Sequence, residues 1–284
     1  MRCARVPASS ANLGPGFDTL GLALSLYTEV TVEPAGSLVV KVEGEGSHFR
    51  ADETHYAVKV VAQVLGHTRV AVSVRSEIPV SRGLGSSAAL ALAAAAAAGC
   101  DDPLTYVSRL EGHADNAAAS VMGGLVTASI VDGTVEAHPL PLDPSLVFVV
   151  VIPDRRLATR DARAALPTVV AIEDAVFNLG RLGAVIAGLA DGRRLTPTAM
   201  RDRLHQRQRT VLFPESPALL RALTDAGALA SCWSGAGPTL LGVCHGSAAD
   251  GVRNAAQDVM LSVGVAGSVR VLQADLVGLV VSVG

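Results

Sequence analysis

One stretch constrains this chain more than any other: PVSRGLGSSAALALAAAAAAG, from Pro79 to Gly99. A glycine-serine loop runs directly into an alanine-rich segment. Alanine has the best intrinsic helix propensity, so a helix is expected from about Ser86 to Ala98, with Gly99 as its stop. Gly83 and Gly85 remove Cβ atoms where a backbone must approach a ligand closely. The helix turns its free N–H groups and the positive end of its dipole back onto the loop, which makes an anion site from backbone alone. The loop lacks the Gly-Lys-Ser/Thr ending of the common nucleotide-binding loop, and it does not follow the dinucleotide spacing. Taken alone, the stretch reads equally as a phosphate site and as a tight loop with a well-capped helix.

The rest of the chain must build a fold around that loop. Its 284 residues suffice for one large domain or two ordinary ones; half are hydrophobic but only 3% aromatic, so the core must consist of Ala, Val and Leu. Alternating, β-branched segments predict strands over Leu20–Glu33, Ser37–Glu43 and Arg69–Ser76. Tyr56, Val60, Val61 and Val64 have helical spacing within Glu53–Leu65. A helix is expected over Pro103–Leu110, then strands over Gly123–Ile130 and Val135–Leu140 about a turn at Asp132-Gly133. Leu146–Ile152 is a continuous apolar run of buried-strand length, ended by Pro153. A domain boundary is placed there, giving units 1–152 and 153–284. The second unit reads as helices over Ala162–Ala165, Ile172–Ala190, Ala199–Gln208, Pro217–Asp225 and Ala248–Val263. SCWSGAGPTLLGVC gives strand, glycine turn and strand, and Val269–Leu272 a closing strand. Two α+β units sharing an interface follow.

Several function classes are disfavoured. A net charge of −3 does not suit a general nucleic-acid or membrane-surface binder. Cys3, Cys100, Cys232 and Cys244 form no CxxC pair and no zinc spacing, and read as reduced thiols of a cytoplasmic protein. MRCARVPASSANLGPGF lacks the apolar core of a signal peptide. The run Ala88 to Ala98 is too short to span a bilayer.

Five further stretches carry polar chemistry. In EGHADN, Glu111 to Asn116, a carboxylate such as Asp115 can orient or deprotonate a hydroxyl, and Glu111 can hold a divalent cation. His113 reads as a zinc ligand or, with no second His or Cys nearby, as a hydrogen-bonded, partly buried histidine. ASSANLGPGFD (Ala8 to Asp18) and WSGAGPT (Trp233 to Thr239) are turn-forming sequences; the first also offers polar groups to a small ligand. The arginines of RRLATRDAR and LHQRQRTVLFP are either solvated surface or clamps for a carboxylate.

In combination these residues resemble a known family. PVSRGLGSSAA matches the P-x-x-x-G-L-G-S-S-A-A phosphate motif of the GHMP kinases. With SANLGPGFD, HADN, TRDAR and SGAGPT in that order, the chain resembles the homoserine-phosphorylating members among them, from Pro7 to about Thr239. The resemblance implies an α+β, two-domain GHMP kinase fold, with an N-terminal α+β domain, a C-terminal ferredoxin-like α+β domain, and the site in the cleft between. It implies transfer of the γ-phosphoryl of ATP to the hydroxyl of L-homoserine with Mg²⁺, in threonine biosynthesis, and a homodimer. The alternatives kept are a kinase of the same superfamily for a mevalonate-like or sugar alcohol, and a non-catalytic nucleotide-binding regulator.

Residue by residue, the resemblance implies that Pro79, Val80, Ser81, Arg82, Gly83, Leu84, Gly85, Ser86, Ser87, Ala88 and Ala89 wrap the ATP phosphates. Gly235 and Gly237 close the cleft beside them. Ser87 lies near Mg²⁺. Asn12 and Asp18 hold the amino-acid end of the substrate. His113 and Asp115 lie beside it, with Asp115 as candidate base and Asn116 close to the reacting groups. Thr159 and Arg163 fall at matching places in TRDAR, and Arg209 matches an arginine that pairs with the substrate carboxylate. Two departures stand out. Arg109 sits near the place of a magnesium-ligating glutamate, which leaves Glu111 as the nearest carboxylate. His55 stands where many relatives carry an asparagine on the nucleotide side.

Overall fold

The computed structural model describes residues 1–284. In chain order it runs β1 (Arg2–Asn12), β2 (Gly16–Pro34), β3 (Val39–Gly44), α1 (Tyr56–Leu65), β4 (Val70–Ser76), α2 (Ser86–Ala98), α3 (Pro103–Glu111) and α4 (Asp115–Met122). It continues through β5 (Leu125–Val131), β6 (Thr134–Leu140), β7 (Leu146–Pro153), α5 (Thr159–Ala164), α6 (Ile172–Ala190), α7 (Gln206–Arg209) and α8 (Ser216–Asp225). It ends with β8 (Ala230–Trp233), β9 (Leu240–His245), α9 (Ala249–Ser262), β10 (Gly267–Leu272) and β11 (Val280–Val283). No helix is long and apolar enough to cross a membrane.

Two sheets organise these elements. The first has seven strands in the order β11-β1-β2-β4-β3, with β5 and β6 continuing from the start of β2. Opposite β1, β2 can serve two partners because it is 19 residues long: Leu20–Leu22 pair with β5, while Thr28–Pro34 pair with β4. The second sheet is antiparallel, in the order β10-β7-β9-β8. With α8 ahead of β8 and α9 ahead of β10, it has the ferredoxin-like β-α-β-β-α-β arrangement.

The alanine helix explains itself by position. α2 buries Ala88, Ala89, Ala91 and Leu92 through Ala97, against β1 and β2 on one side and α1, α3 and α4 on others. A helix that is apolar all round belongs inside a protein, and methyl side chains let five neighbours approach it. Close approach also decides Gly21 of β2. A Cβ there would overlap the carbonyl oxygen of Asp115, so glycine lets the first turn of α4 lie on the sheet.

The apolar run of β7 is buried on both faces. Leu146, Phe148, Val150 and Ile152 join the core shared with the first unit, while Val147, Val149 and Val151 pack under α8 and α9. By sheet membership the chain therefore enters the second layer before Leu146, ahead of the boundary expected after Ile152. It returns to the first sheet at Val280–Val283, where β11 pairs with Arg2–Arg5.

Three local expectations differ from the fold. Ala8–Asp18 is not all loop: Ala8–Asn12 finish β1, and the turn is only Leu13–Pro15. Residues 115–122 are helical, and β5 starts at Leu125 rather than Gly123. Ala199–Gln208 is mostly irregular, with only Gln206–Arg209 helical. There the Asp202 carboxylate accepts from the N–H groups of Leu204, His205 and Gln206, which replaces helical bonds by a side-chain cap.

Gly83 supplies a test of how the phosphate loop is held. Its φ is +81°, and a Cβ would overlap the Ser234 carbonyl oxygen. Gly66 has a similar φ of +74° but open space around it. Gly83→Ala is expected to lower stability by about 2–4 kcal/mol and Gly66→Ala by about 1 kcal/mol. Thermal melts of both check this; equal losses would mean that the Ser234 contact is slack.

Candidate active site

Three chain segments, remote in sequence, build the frame of one cavity. Ser9 N donates to Leu84 O at 3.2 Å, Gly235 N to Ala11 O at 2.9 Å, and Thr239 N to Arg82 O at 3.0 Å. Ser234 Oγ is 2.6 Å from Gly83 O and 2.8 Å from Ser10 Oγ. Asn12 Nδ2 donates to Gly235 O at 2.8 Å, and its Oδ1 accepts from Asp18 N at 3.0 Å. Asn12, Asp18 and Ser81 all have positive φ without being glycine, a strained backbone held by its surroundings at the cavity wall.

The cavity measures about 550 Å³ and lies between the two units. Val80, Ser81, Gly83, Gly85, Ser86, Ser87 and Ala88 line one wall, with Gly235 and Gly237 beside them. The first helical bond of α2 runs from Ala89 N to Gly85 O, so the N–H groups of Ser86, Ser87 and Ala88 have no helical acceptor. No acidic residue stands in the first turn of α2 to neutralise them. Pro79, Arg82, Leu84 and Ala89 are not on the wall. Leu84 and Ala89 are buried in the core, and the Arg82 guanidinium is spent on Pro153 O at 2.6 Å.

Glu111, the last residue of α3, reaches the same wall. Ser87 Oγ donates to Glu111 Oε1 at 2.6 Å. The two sequence-level candidates for a metal thus sit together, while Arg109 is exposed and off the cavity. The set is of hard oxygen donors beside an anion cradle, which fits Mg²⁺.

α4 presents Asp115 at its first turn, 1% exposed. Its Oδ1 takes three donors: His113 Nδ1 at 2.6 Å, Asn116 N at 2.7 Å and Asn116 Nδ2 at 3.3 Å. Oδ2 accepts none and remains open to a further donor. Asn116 Oδ1 accepts from Ser9 Oγ at 2.9 Å, which ties α4 to β1. Burial alone would lower the pKa of His113, but the hydrogen bond and charge of Asp115 outweigh it and raise the imidazole above its ordinary 6.5.

Two arginines also line the cavity, Arg163 and Arg209. Arg163, on α5, grips Asp18 bidentately at 2.7 and 2.9 Å, and this raises its pKa further. Thr159 opens the same helix and lines the cavity. Arg209 is 2% exposed, yet no carboxylate lies within ion-pair reach. Its partners are neutral: Gly235 O at 2.9 Å, His205 Nδ1 at 3.0 Å and Ala162 O at 3.4 Å. Burial, then the charge of Arg163, lower its pKa to about 10. Phe17 lies under both guanidiniums at 5.6 Å. Phe17, Ser9, Ser10, Ser234 and His205 carry no individual signal in the sequence beyond their adjacency to the glycine motifs and to Arg209.

Because its folded-state pKa is raised, His113 contributes stability that is fully present below about pH 6.5 and lost as pH rises through the raised value. An NMR titration should place His113 above 6.5 in the native protein and below it in Asp115→Asn, where burial acts unopposed. An unmoved His113 would rule out the ion pair as the cause.

With this geometry in view, the comparisons with known proteins are specific. The chain matches the family models described as GHMP kinases N terminal domain, over residues 53–124, and GHMP kinases C terminal, over residues 176–260. A homoserine kinase from Moorella thermoacetica is 40% identical over 261 residues, 87% of this chain and 88% of that one. A homoserine kinase from Desulfitobacterium hafniense is 34% identical over 289 residues, 96% of this chain and 97% of that one. The crystal structure of homoserine kinase from Cytophaga hutchinsonii superposes with a TM-score of 0.84 at 25% identity, covering 99% of this chain and 96% of that one.

Proposed function

This chain belongs to the GHMP kinases, among the homoserine kinases, and we propose that it transfers the γ-phosphoryl group of ATP to the side-chain hydroxyl of L-homoserine. One observation carries the choice of acceptor. Arg209 is a buried cation without an anionic partner, on the same cavity as the phosphate loop. A buried unpaired charge is costly, and a ligand carboxylate removes the cost. A charge-assisted hydrogen bond from the guanidinium to that carboxylate fits the role.

The acceptor is a zwitterion, and the cavity answers both charges. Its carboxylate goes to Arg209, with Arg163 beside it. Its ammonium goes to Asp18, whose carboxylate oxygens keep lone pairs beyond those given to Arg163. Asn12 holds the Asp18 backbone, and Thr159 lines the approach. This leaves the hydroxyl end directed to Asp115.

The triphosphate lies on the backbone of the glycine loop and the first turn of α2. Ser86, Ser87 and Ala88 offer N–H groups to it, and the helix dipole favours the charge. Ser87 and Glu111 would hold Mg²⁺, which supplies charge neutralisation to the phosphate oxygens. The hydroxyl oxygen attacks the γ-phosphorus in line; a new O–P bond forms as the bond to the leaving ADP breaks. Such a transition state needs positioning and charge stabilisation more than a strong base. Asp115 Oδ2 accepts the hydroxyl hydrogen bond and takes the proton as the O–P bond forms. His113 and Asn116 hold the other carboxylate oxygen so that this one stays in place.

ADP release with Mg-ATP should be seen with L-homoserine and not with mevalonate or galactose; turnover on another alcohol but not homoserine would reject the acceptor. Arg209→Ala should raise the KM for homoserine roughly 30- to 1,000-fold, equivalent to about 2–4 kcal/mol, with the KM for ATP within a few fold. Asp115→Asn should lower kcat by roughly 10²–10⁴. In Glu111→Gln, the Mg²⁺ concentration for half-maximal rate should rise at least about tenfold, and an unchanged requirement would move the metal off Glu111.

A further inference from the structure

Arg209 is oriented by a residue that the reaction as described does not use. His205 is 0% exposed and immediately precedes α7. Its Nε2 lies 2.7 Å from Gly14 O. A carbonyl only accepts, so Nε2 carries the proton. Its Nδ1 lies 3.0 Å from Nη1 of Arg209. A guanidinium only donates, so Nδ1 is bare. The two neighbours fix one state, the neutral Nε2–H tautomer. Burial lowers the pKa of this ring to about 4, in the same sense.

The surroundings hold the ring in place without lending it charge. Asp202 is the nearest carboxylate, 3.8 Å from Nε2, but its oxygens already accept from three backbone N–H groups and Asn178 Nδ2. Phe17 packs on the ring at 5.2 Å between centroids. On Arg209, Nη1 is taken by His205 and Gly235, and Nε by Ala162. Nη2 has no protein acceptor. A neutral acceptor at position 205 therefore aims the guanidinium without forming an ion pair with it. An aspartate or glutamate there would aim it equally well but would neutralise it.

We propose that His205 is a positioning residue for acceptor selection: through Nδ1 it fixes Arg209 so that the free Nη2 edge meets the carboxylate of the acceptor. This rests on the reading of Arg209 as the carboxylate's partner. Discrimination between an amino acid and the corresponding amino alcohol is then set by a ring that touches neither.

The test compares kcat/KM for L-homoserine and for 3-amino-1-propanol, which keeps the hydroxyl and the ammonium and lacks the carboxylate. His205→Asn places an amide oxygen near the site of Nδ1, and His205→Gln places an amide N–H near that of Nε2. In His205→Gln the preference for homoserine should fall about tenfold or more, the scale of one hydrogen bond to a charged group. The fall should come through the homoserine KM, with kcat and the KM for ATP within about threefold. In His205→Asn the preference should stay within about threefold of native, a rescue by the variant that keeps the acceptor atom. Equal losses in both variants, or a loss shared by both substrates, would reduce His205 to packing and overturn the proposal. Ring ¹⁵N shifts of His205 in the native protein give a check that needs no variant: a Nδ1–H tautomer or an imidazolium near neutral pH overturns it. Failure of the underlying reading looks different. The native protein would show no preference for homoserine over the amino alcohol, and Arg209→Ala would leave the ratio unchanged.

Discussion

The site depends on one contact, the docking of the turn Ser234–Thr239 onto the phosphate loop and the end of β1. Each of these segments has backbone groups that its own secondary structure cannot satisfy. They satisfy one another: Ser9 with Leu84, Ala11 with Gly235, Arg82 with Thr239, and Ser234 Oγ with Gly83 O. Buried backbone groups left unpaired are costly, so these loops take a fixed shape together. The small residues at the contact follow from this, since Gly83 and Ser234 meet at backbone distance. An anion cradle made of backbone needs such a frame, because its donors have no side chain with which to adjust. Preorganised donors of this kind stabilise charge without reorganising during the reaction.

Around that frame, charge is divided unequally. Asp18 pairs with Arg163 and Asp115 with His113, and each carboxylate keeps acceptor capacity beyond its pair. Arg209 has no carboxylate within ion-pair reach, and the N–H groups of the first turn of α2 have no helical acceptor. Both positive features face one cavity, and each calls for its own anion, the carboxylate or the triphosphate. The carboxylates that remain, Glu111 and the open oxygen of Asp115, line the same cavity, where a metal ion and a hydroxyl are needed. A ligand of one charge would satisfy only part of this pattern, whereas a nucleotide and a zwitterion together satisfy all of it.

Sequence disclosed the parts whose physics is local. The alanine helix, the glycine loop before it and the apolar run of β7 were legible because propensity, capping and strand-length burial act within a short window. Glu111 and Ser87 stand out separately in the sequence, and their approach to 2.6 Å requires the fold. What escaped was decided by distant partners. The strand β1 hid behind turn residues because its last positions are shaped by Gly235 and Asp18. Asp202 broke the helix expected over Ala199–Gln208 by capping it, which residue periodicity does not register. His205 gave no sign, since a lone histidine in an arginine-rich segment acquires its role only from Gly14 and Arg209. The switch of β7 to the second sheet was equally hidden: an apolar run shows that both faces are buried, not against what.

That double burial has a consequence for the site. Alternate residues of β7 belong to two cores, one of which is shared with the first unit. At the other end of the chain, β11 returns to pair with β1. The two units are therefore joined by packed strand rather than by a linker, and their relative position is set by core complementarity. Arg82, reaching from the phosphate loop to Pro153 at the end of β7, adds a polar tie at the same seam. The separation between the phosphate loop on one unit and Arg209 on the other is consequently a property of the core. An acceptor held by its carboxylate at Arg209 must have a hydroxyl at the right reach to meet the γ-phosphorus, so chain length is selected by packing that the acceptor never touches.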